Sequence, residues 1–120
     1  MILYHGSENK NWAPHDGACF TDSLDSAANY GDWIQVIELC EDVEWVAVEG
    51  YDRETNTAPG DVDPAILPAP VVEYDDEDPC QREHTTWRIR ESGYAVRIGA
   101  IKAEAIEEHG DRLIDLLLAK

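Results

Sequence analysis

The segment ILYHGS, residues 2–7, is an apolar run that ends at a glycine and a serine. Such a run predicts a β-strand that passes into a loop. Alternate side chains of a strand share one face, so Leu3 and His5 are expected on the same side of the sheet. His5 is therefore directed as a core residue would be. Taken alone, such a histidine is more often a satisfied buried or turn residue than a functional one.

The rest of the chain predicts short strands and few helices, which is the pattern of an α+β domain. A loop is expected over 9–17, and a short helix over 22–30 with Thr21 or Asp22 as N-cap and Gly31 as C′ residue. The predicted strands are Trp33 to Leu39, Val43 to Val48, Val71 to Tyr74 and Trp87 to Ile98, and a C-terminal helix is expected within 103–119. Residues 51–79 are predicted to form a long excursion rich in Pro, Asp, Gly and Thr.

Length and composition favour one domain over residues 1–120. The first residues lack the basic flank and apolar run of a signal peptide, and no segment is apolar for long enough to cross a membrane. Cys19, Cys40 and Cys80 are widely separated and include no C-x-x-C pair, so neither a metal site nor a disulfide framework is predicted. A reducing cytoplasm is the compartment that these features favour.

The charge of the chain is strongly negative, because 26 acidic residues stand against 9 basic ones and give a formal net charge of −17. Nucleic acid and anionic membranes bind proteins through Lys and Arg, so direct binding to either is not expected. A basic protein partner is the electrostatic complement. Solubility explains the same charge equally well.

One carboxylate occupies a position where strand alternation predicts an apolar group. Trp87, Ile89 and Glu91 share a face of the last predicted strand, next to the bend that Gly93 permits. Carboxylates drawn away from water concentrate at functional sites. The alternative is that Glu91 pairs with Arg88 or Arg90 near the surface.

Two segments together resemble the signatures of one enzyme family. His5-Gly6-Ser7 is similar to the first signature of the diphtheria-toxin-like and poly(ADP-ribose) polymerase-like ADP-ribosyltransferases. The segment GACFTDSLDSAANY, residues 17–30, resembles the second signature: glycine, two residues, phenylalanine, a short capped helix with Ser-Ala, and a tyrosine near its end. The resemblance implies the fold of that family, which consists of two packed, mainly antiparallel sheets with few short helices.

The resemblance also implies that NAD is the substrate whose nicotinamide–ribose bond is broken. By this resemblance His5 binds a ribose hydroxyl, the backbone of Gly6 holds the nicotinamide carboxamide, and the Ser7 hydroxyl assists. Tyr30 stacks on the nicotinamide ring, an aromatic contact. Phe20 contributes packing to the same cofactor-binding cleft.

The family's third element is an acid, usually Glu, on a later strand, where it stabilises the cationic transition state. Glu91, shortly before Tyr94, is the first candidate and Glu83 the second. In the polymerase branch the glutamate directly precedes that tyrosine, whereas this chain has Gly93 there. The resemblance, with this departure, therefore implies transfer of a single ADP-ribose rather than a polymer.

Three functions follow as alternatives. The first is a mono-ADP-ribosyltransferase that modifies a basic or nucleic-acid-binding protein, such as a phage-encoded inhibitor of a defence system (an anti-CRISPR protein) or a toxin. The second is an acidic inhibitor without enzymatic activity that mimics nucleic acid and occupies a basic groove on its target. The third is a degenerate family member that binds NAD or ADP-ribose without turnover.

Overall fold

A computed structural model of the protein describes residues 1–50, 58–77 and 83–119. In this part of the chain the strands are β1 (Ile2–Ser7), β2 (Cys19–Thr21), β3 (Trp33–Leu39), β4 (Trp45–Ala47), β5 (Val71–Glu77), β6 (Glu83–Ile89) and β7 (Ala95–Lys102). The helices are α1 (Leu24–Ala28), α2 (Ala103–His109) and α3 (Asp111–Leu118), with 3-10 turns at Pro64–Ile66 and Ser92–Tyr94. The predicted α+β class is confirmed. Cys80 and the start of the predicted excursion, 51–57, lie outside the described residues.

The strands form one seven-stranded sheet in the order β4-β5-β6-β2-β1-β3-β7. Neighbouring strands are antiparallel except β4 and β5, which are parallel. Two separate sheets were expected, and the difference lies at the junction of β1 and β2. These two strands, both described in full, are in register at the pair Tyr4 and Thr21. That short pairing joins two longer ladders into a single mixed sheet.

Both faces of the sheet are buried. One face carries a cluster drawn from both ladders, and the described helices do not contribute to it. Its largest members are Leu3, Phe20, Ile37, Leu39, Val71, Trp87 and Ile89. The sheet therefore curves so that its two halves, together with the segment around Trp12, bury this face. As parity predicted, Leu3, Trp87 and Ile89 point inward.

The opposite face is covered differently on the two halves. Over β1, β3 and β7 the helices pack a cluster that includes Val36, Ile101 and Ile114. Over β4, β5 and β6 the segment 58–70 packs on Val72 and Tyr74. The buried Arg88 fastens this segment, because its guanidinium donates to the carbonyl oxygens of Gly17, Pro59 and Val62.

Helix α1 is shorter than the sequence predicts, and its cap is a different residue. Ser23 is the N-cap, and its hydroxyl accepts from the backbone N–H of Ser26 at 3.1 Å. Thr21 belongs to β2, and its hydroxyl accepts from the N–H of Ser23. The helix ends at Ala28 with Asn29 as C-cap, two residues before Gly31. None of the described helices is long and apolar enough to span a membrane.

Candidate functional site

A cavity opens where β1 and β2 diverge beyond their single register pair, and the end of α1 closes one side of it. It encloses about 180 Å³. Its lining includes four of the residues predicted to bind the cofactor, namely His5, Gly6, Phe20 and Tyr30. The other lining residues are Tyr4, Cys19, Thr21, Ala27, Asp76, His84 and Thr86. Pockets that bury a drug-sized ligand measure roughly 300–1,000 Å³, so this cavity could hold only part of such a ligand.

His5 is fixed in one tautomer by its surroundings. Its Nδ1 lies 2.7 Å from the carbonyl oxygen of Cys19. A carbonyl oxygen only accepts, so Nδ1 carries the ring proton and donates it. The ring stacks on Trp12, with centroids 3.8 Å apart and planes at 12°. Burial lowers the pKa of His5, and the hydrogen bond to Cys19 offsets part of that effect. The histidine is therefore neutral at pH 7, and Nε2 is a hydrogen-bond acceptor.

Gly6 is required by the packing of α1 on β1. A Cβ at this position would lie 1.9 Å from the carbonyl oxygen of Ala27 and 2.8 Å from the Cβ of Tyr30. Both distances are shorter than any real Cβ contact allows. In the structure α1 fills the space that a side chain at Gly6 would take. The glycine thereby lets the end of α1 bring Tyr30 to the cavity.

Tyr30 and Phe20 have different environments at the cavity. Tyr30 is 46% exposed, so its ring is accessible to a ligand. Phe20 is 1% exposed and packs in the core, in an edge contact with His5 at 6.1 Å between ring centroids. Phe20 therefore packs against His5 and contributes to the core rather than to the chemistry of the site.

Ser7 lies outside the described lining of the cavity. It ends β1, where its hydroxyl accepts from the backbone N–H of Asn9 at 3.0 Å. The side chain therefore stabilises the turn that follows the strand.

Neither predicted acid lies at the cavity. Strand β6 ends at Ile89, and Glu91 lies two residues beyond it as the exposed N-cap of the 3-10 turn Ser92–Tyr94. Glu83 is exposed at the opposite end of β6, where it is in register with Glu77. Parity puts Glu83 on the other face of β6 from His84 and Thr86, which line the cavity.

The carboxylate at the cavity belongs to Asp76 of β5, which is in register with His84 of β6. The sequence predicted a strand that stops at Tyr74, before Asp76. In the structure β5 continues to Glu77, and parity puts Tyr74 and Asp76 on one face. Continued alternation from Val72 was the signal that could have identified Asp76.

His84 is also absent from the sequence-based prediction. Its Nδ1 lies 3.1 Å from the hydroxyl of Thr21 and 3.3 Å from that of Thr86. Its Nε2 is buried and has no hydrogen-bond partner among the described residues. The cavity therefore carries two histidines, one from each half of the sheet.

Cys19 lines the cavity as a neutral thiol. Its Sγ lies 3.7 Å from the hydroxyl of Tyr74. Burial raises the pKa of the Cys19 thiol, and burial together with Cys19 raises the pKa of the Tyr74 phenol. A thiolate is the nucleophilic form of cysteine, so this environment does not activate Cys19. Among the described residues no three His, Cys, Asp or Glu side chains converge as a metal site.

Comparisons of the chain with protein-family models, curated proteins and solved structures found no match. The resemblance to ADP-ribosyltransferases therefore rests on the quoted residues of this chain. The structure adds that His5, Gly6, Phe20 and Tyr30, which come from the two resembling segments, line one cavity.

Proposed function

We propose that the protein is a mono-ADP-ribosyltransferase that cleaves NAD and transfers ADP-ribose to a protein acceptor. The observation that carries this proposal is the shared cavity of His5 and Tyr30, with Gly6 and Phe20 beside them. Nothing in the formation of a buried core requires those residue types to meet at an open cavity. They are the groups that the quoted resemblance assigns to nicotinamide and its ribose.

The reaction breaks the bond between C1′ of the ribose and the nicotinamide nitrogen. The bonding electrons leave with nicotinamide, whose ring nitrogen loses its positive charge, and positive charge develops on the ribose. A nucleophile of the acceptor then bonds to C1′ and releases a proton. Catalysis therefore needs a grip on the ring, an orienting contact to the ribose and a negative charge near C1′.

Three side chains of the cavity match these needs. Tyr30 offers an exposed aromatic face on which the nicotinamide ring can stack. The neutral His5 can accept a hydrogen bond from a ribose hydroxyl through Nε2. Asp76 supplies the carboxylate, in the role that the sequence had given to Glu91. We therefore assign the acid to Asp76 in this proposal.

The test uses labelled NAD and has two readouts. One is hydrolysis of NAD, and the other is transfer of the label to proteins of a cell lysate. Asp76→Asn should lower both rates by about 100-fold or more, because electrostatic stabilisation of a transition state is commonly worth that much. Asp75→Asn is the matched control, since Asp75 is the exposed neighbour on the other face of β5. Glu91→Gln is a second control, and both should retain wild-type rates.

Other results would count against the proposal in different ways. If wild-type protein neither hydrolyses NAD nor labels a protein, and NAD does not raise its melting temperature, the enzymatic proposal fails. If NAD raises the melting temperature and His5→Ala or Tyr30→Ala abolishes the shift, but no turnover occurs, the chain is a binding protein for NAD. Loss of activity in Glu91→Gln but not in Asp76→Asn would return the acid to Glu91.

The net charge of −17 favours one further candidate, an inhibitor that mimics nucleic acid and binds a basic groove. Such binding weakens steeply with ionic strength, whereas ring stacking in a cavity does not. The mimic would be supported if the protein does not bind NAD and if its affinity for a basic partner is lost between low and physiological salt. An acidic surface also suits a transferase that docks on a basic acceptor.

A further inference from the structure

We propose that His84 is a second sugar-binding residue of the cavity, which donates a hydrogen bond from Nε2 to a hydroxyl oxygen of the ligand. This inference rests on the proposed function, in which the cavity takes the nicotinamide riboside half of NAD. The resemblance assigns no role to His84, and its location in the cavity comes from the pairing of β6 with β2.

The neighbours of His84 favour one tautomer. The hydroxyl of Thr21 accepts from the N–H of Ser23 at 3.1 Å, so its own proton is available for another acceptor. The Nδ1 of His84 lies 3.1 Å from this hydroxyl, and the hydroxyl of Thr86 lies 3.3 Å from the same nitrogen. A neutral imidazole has one donor and one acceptor nitrogen. We infer that Nδ1 accepts from the Thr21 hydroxyl, which leaves the ring proton on Nε2.

This Nε2–H group lacks a partner that its burial demands. The atom is buried and makes no hydrogen bond within the part of the chain that the structure describes. An unpaired buried donor costs free energy, and such groups persist where a ligand or a reaction needs them. A ligand oxygen in the cavity would provide the missing acceptor.

The two histidines are complementary in tautomer. His5 donates through Nδ1 and keeps an acceptor at Nε2, whereas His84 accepts through Nδ1 and keeps a donor at Nε2. A hydroxyl group both donates and accepts, so the neighbouring hydroxyls of a ribose match this pair. Asp76 lines the same cavity. The complementary pair of histidines therefore points to a sugar with neighbouring hydroxyl groups.

Two substitutions of His84 separate its two nitrogens. The amide of Asn in His84→Asn stands near the position of Nδ1, so this variant keeps the contact to Thr21 and loses the donor. The amide of Gln in His84→Gln reaches the position of Nε2 and keeps the donor. Isothermal titration with NAD should give a dissociation constant about tenfold weaker for His84→Asn, the effect of one lost hydrogen bond. His84→Gln should stay within about threefold of wild type.

Nicotinamide alone is the ligand control because it has no hydroxyl groups. Its affinity should be the same in wild type, His84→Asn and His84→Gln. Equal NAD affinity in wild type and His84→Asn would overturn the role of His84 and leave the proposed function intact. Equal losses for NAD and nicotinamide would also overturn it, since His84 would then contact the ring or support the fold. A wild-type protein that binds no NAD would remove the proposed function, and this inference with it.

A measurement on the wild-type protein covers the case in which a variant does not fold. Nitrogen-15 spectra of the histidine side chains should show His84 protonated at Nε2 without ligand, and NAD should shift that resonance. A proton on Nδ1 in the free protein, or a resonance unmoved by saturating NAD, would overturn the inference.

Discussion

His5 is held in its neutral form by burial, and this has a measurable dependence on pH. Burial lowers its pKa below the ordinary value of 6.5, so the unfolded chain binds more protons than the folded one in this range. The contribution of His5 to stability is therefore fully present above pH 6.5 and is lost as the pH falls below that value.

We predict that His5→Asn removes this dependence, because the Asn amide keeps the donor to the Cys19 carbonyl and does not titrate. Melting temperatures of both proteins between pH 5 and 8 are the measurement. The difference between wild type and variant should change as the pH drops through the histidine range. A difference that stays constant with pH would show that the fold does not perturb His5.

At the same scale, the sequence predicted that His5 and Tyr30 share a site, and it did not predict their neighbours. Trp12, which stacks on His5, lies in a segment whose composition indicates only a loop. The tautomers of His5 and His84 depend on the Cys19 carbonyl and the Thr21 hydroxyl. Such contacts arise from strand register, which residue types do not specify.

The contact between α1 and β1 depends on Gly6, and it gives a prediction for these two elements. Gly6→Ala should destabilise the protein by about 1–3 kcal/mol, the usual cost of an overpacked position. It should also weaken ligand binding, because Tyr30 must move. Chemical denaturation measures the first effect and titration with NAD the second.

Gly93→Ala is the matched control for this prediction. A Cβ at Gly93 would meet no atom within 4 Å. Its stability should stay within about 0.5 kcal/mol of wild type, as for other surface substitutions. If Gly6→Ala were as stable as Gly93→Ala, the close packing of α1 on β1 would be refuted.

The elements were predicted with unequal success, for identifiable reasons. Strand β3 was predicted with its observed bounds, because its β-branched and aromatic residues are bordered by polar turns. Strand β5 extends three residues beyond the prediction, since its pairing with β6 overrides the low strand propensity of aspartate. The predicted strand from Trp87 to Ile98 is two strands, separated by the 3-10 turn Ser92–Tyr94.

The net charge of −17 acts on the whole molecule. Like charges repel more in the folded state than in the expanded chain, so the fold loses stability at low ionic strength. Raising NaCl from about 10 to about 150 mM shortens the screening length from about 30 to about 8 Å and should raise the melting temperature. A melting temperature that falls with added salt would contradict this expectation.

A charge-reduced variant serves as the control for the salt experiment. Asp42, Glu44 and Glu49 are exposed and distant in sequence from every residue of the cavity. Their replacement by Asn, Gln and Gln should weaken the dependence on salt and leave ligand binding unchanged.

The part of the site that the sequence missed follows from the order of strands. His5 comes from β1 and Tyr30 from the turn after α1, whereas Asp76 and His84 come from β5 and β6 in the other half of the sheet. Local patterns predicted the first pair, since both belong to short segments near the start of the chain. The second pair reaches the cavity because β2 binds β6, a pairing between distant parts of the chain that single-sequence patterns do not reveal.

The two ladders are joined by a single register pair, Tyr4 with Thr21. Their junction is therefore the weakest part of the described sheet. A small rotation of one ladder against the other would change the width of the cavity and leave the longer pairings whole. A molecule that binds His5 on one side and His84 on the other would hold the two ladders together at that junction. Binding of such a molecule should slow amide hydrogen exchange in β1 and β6 together.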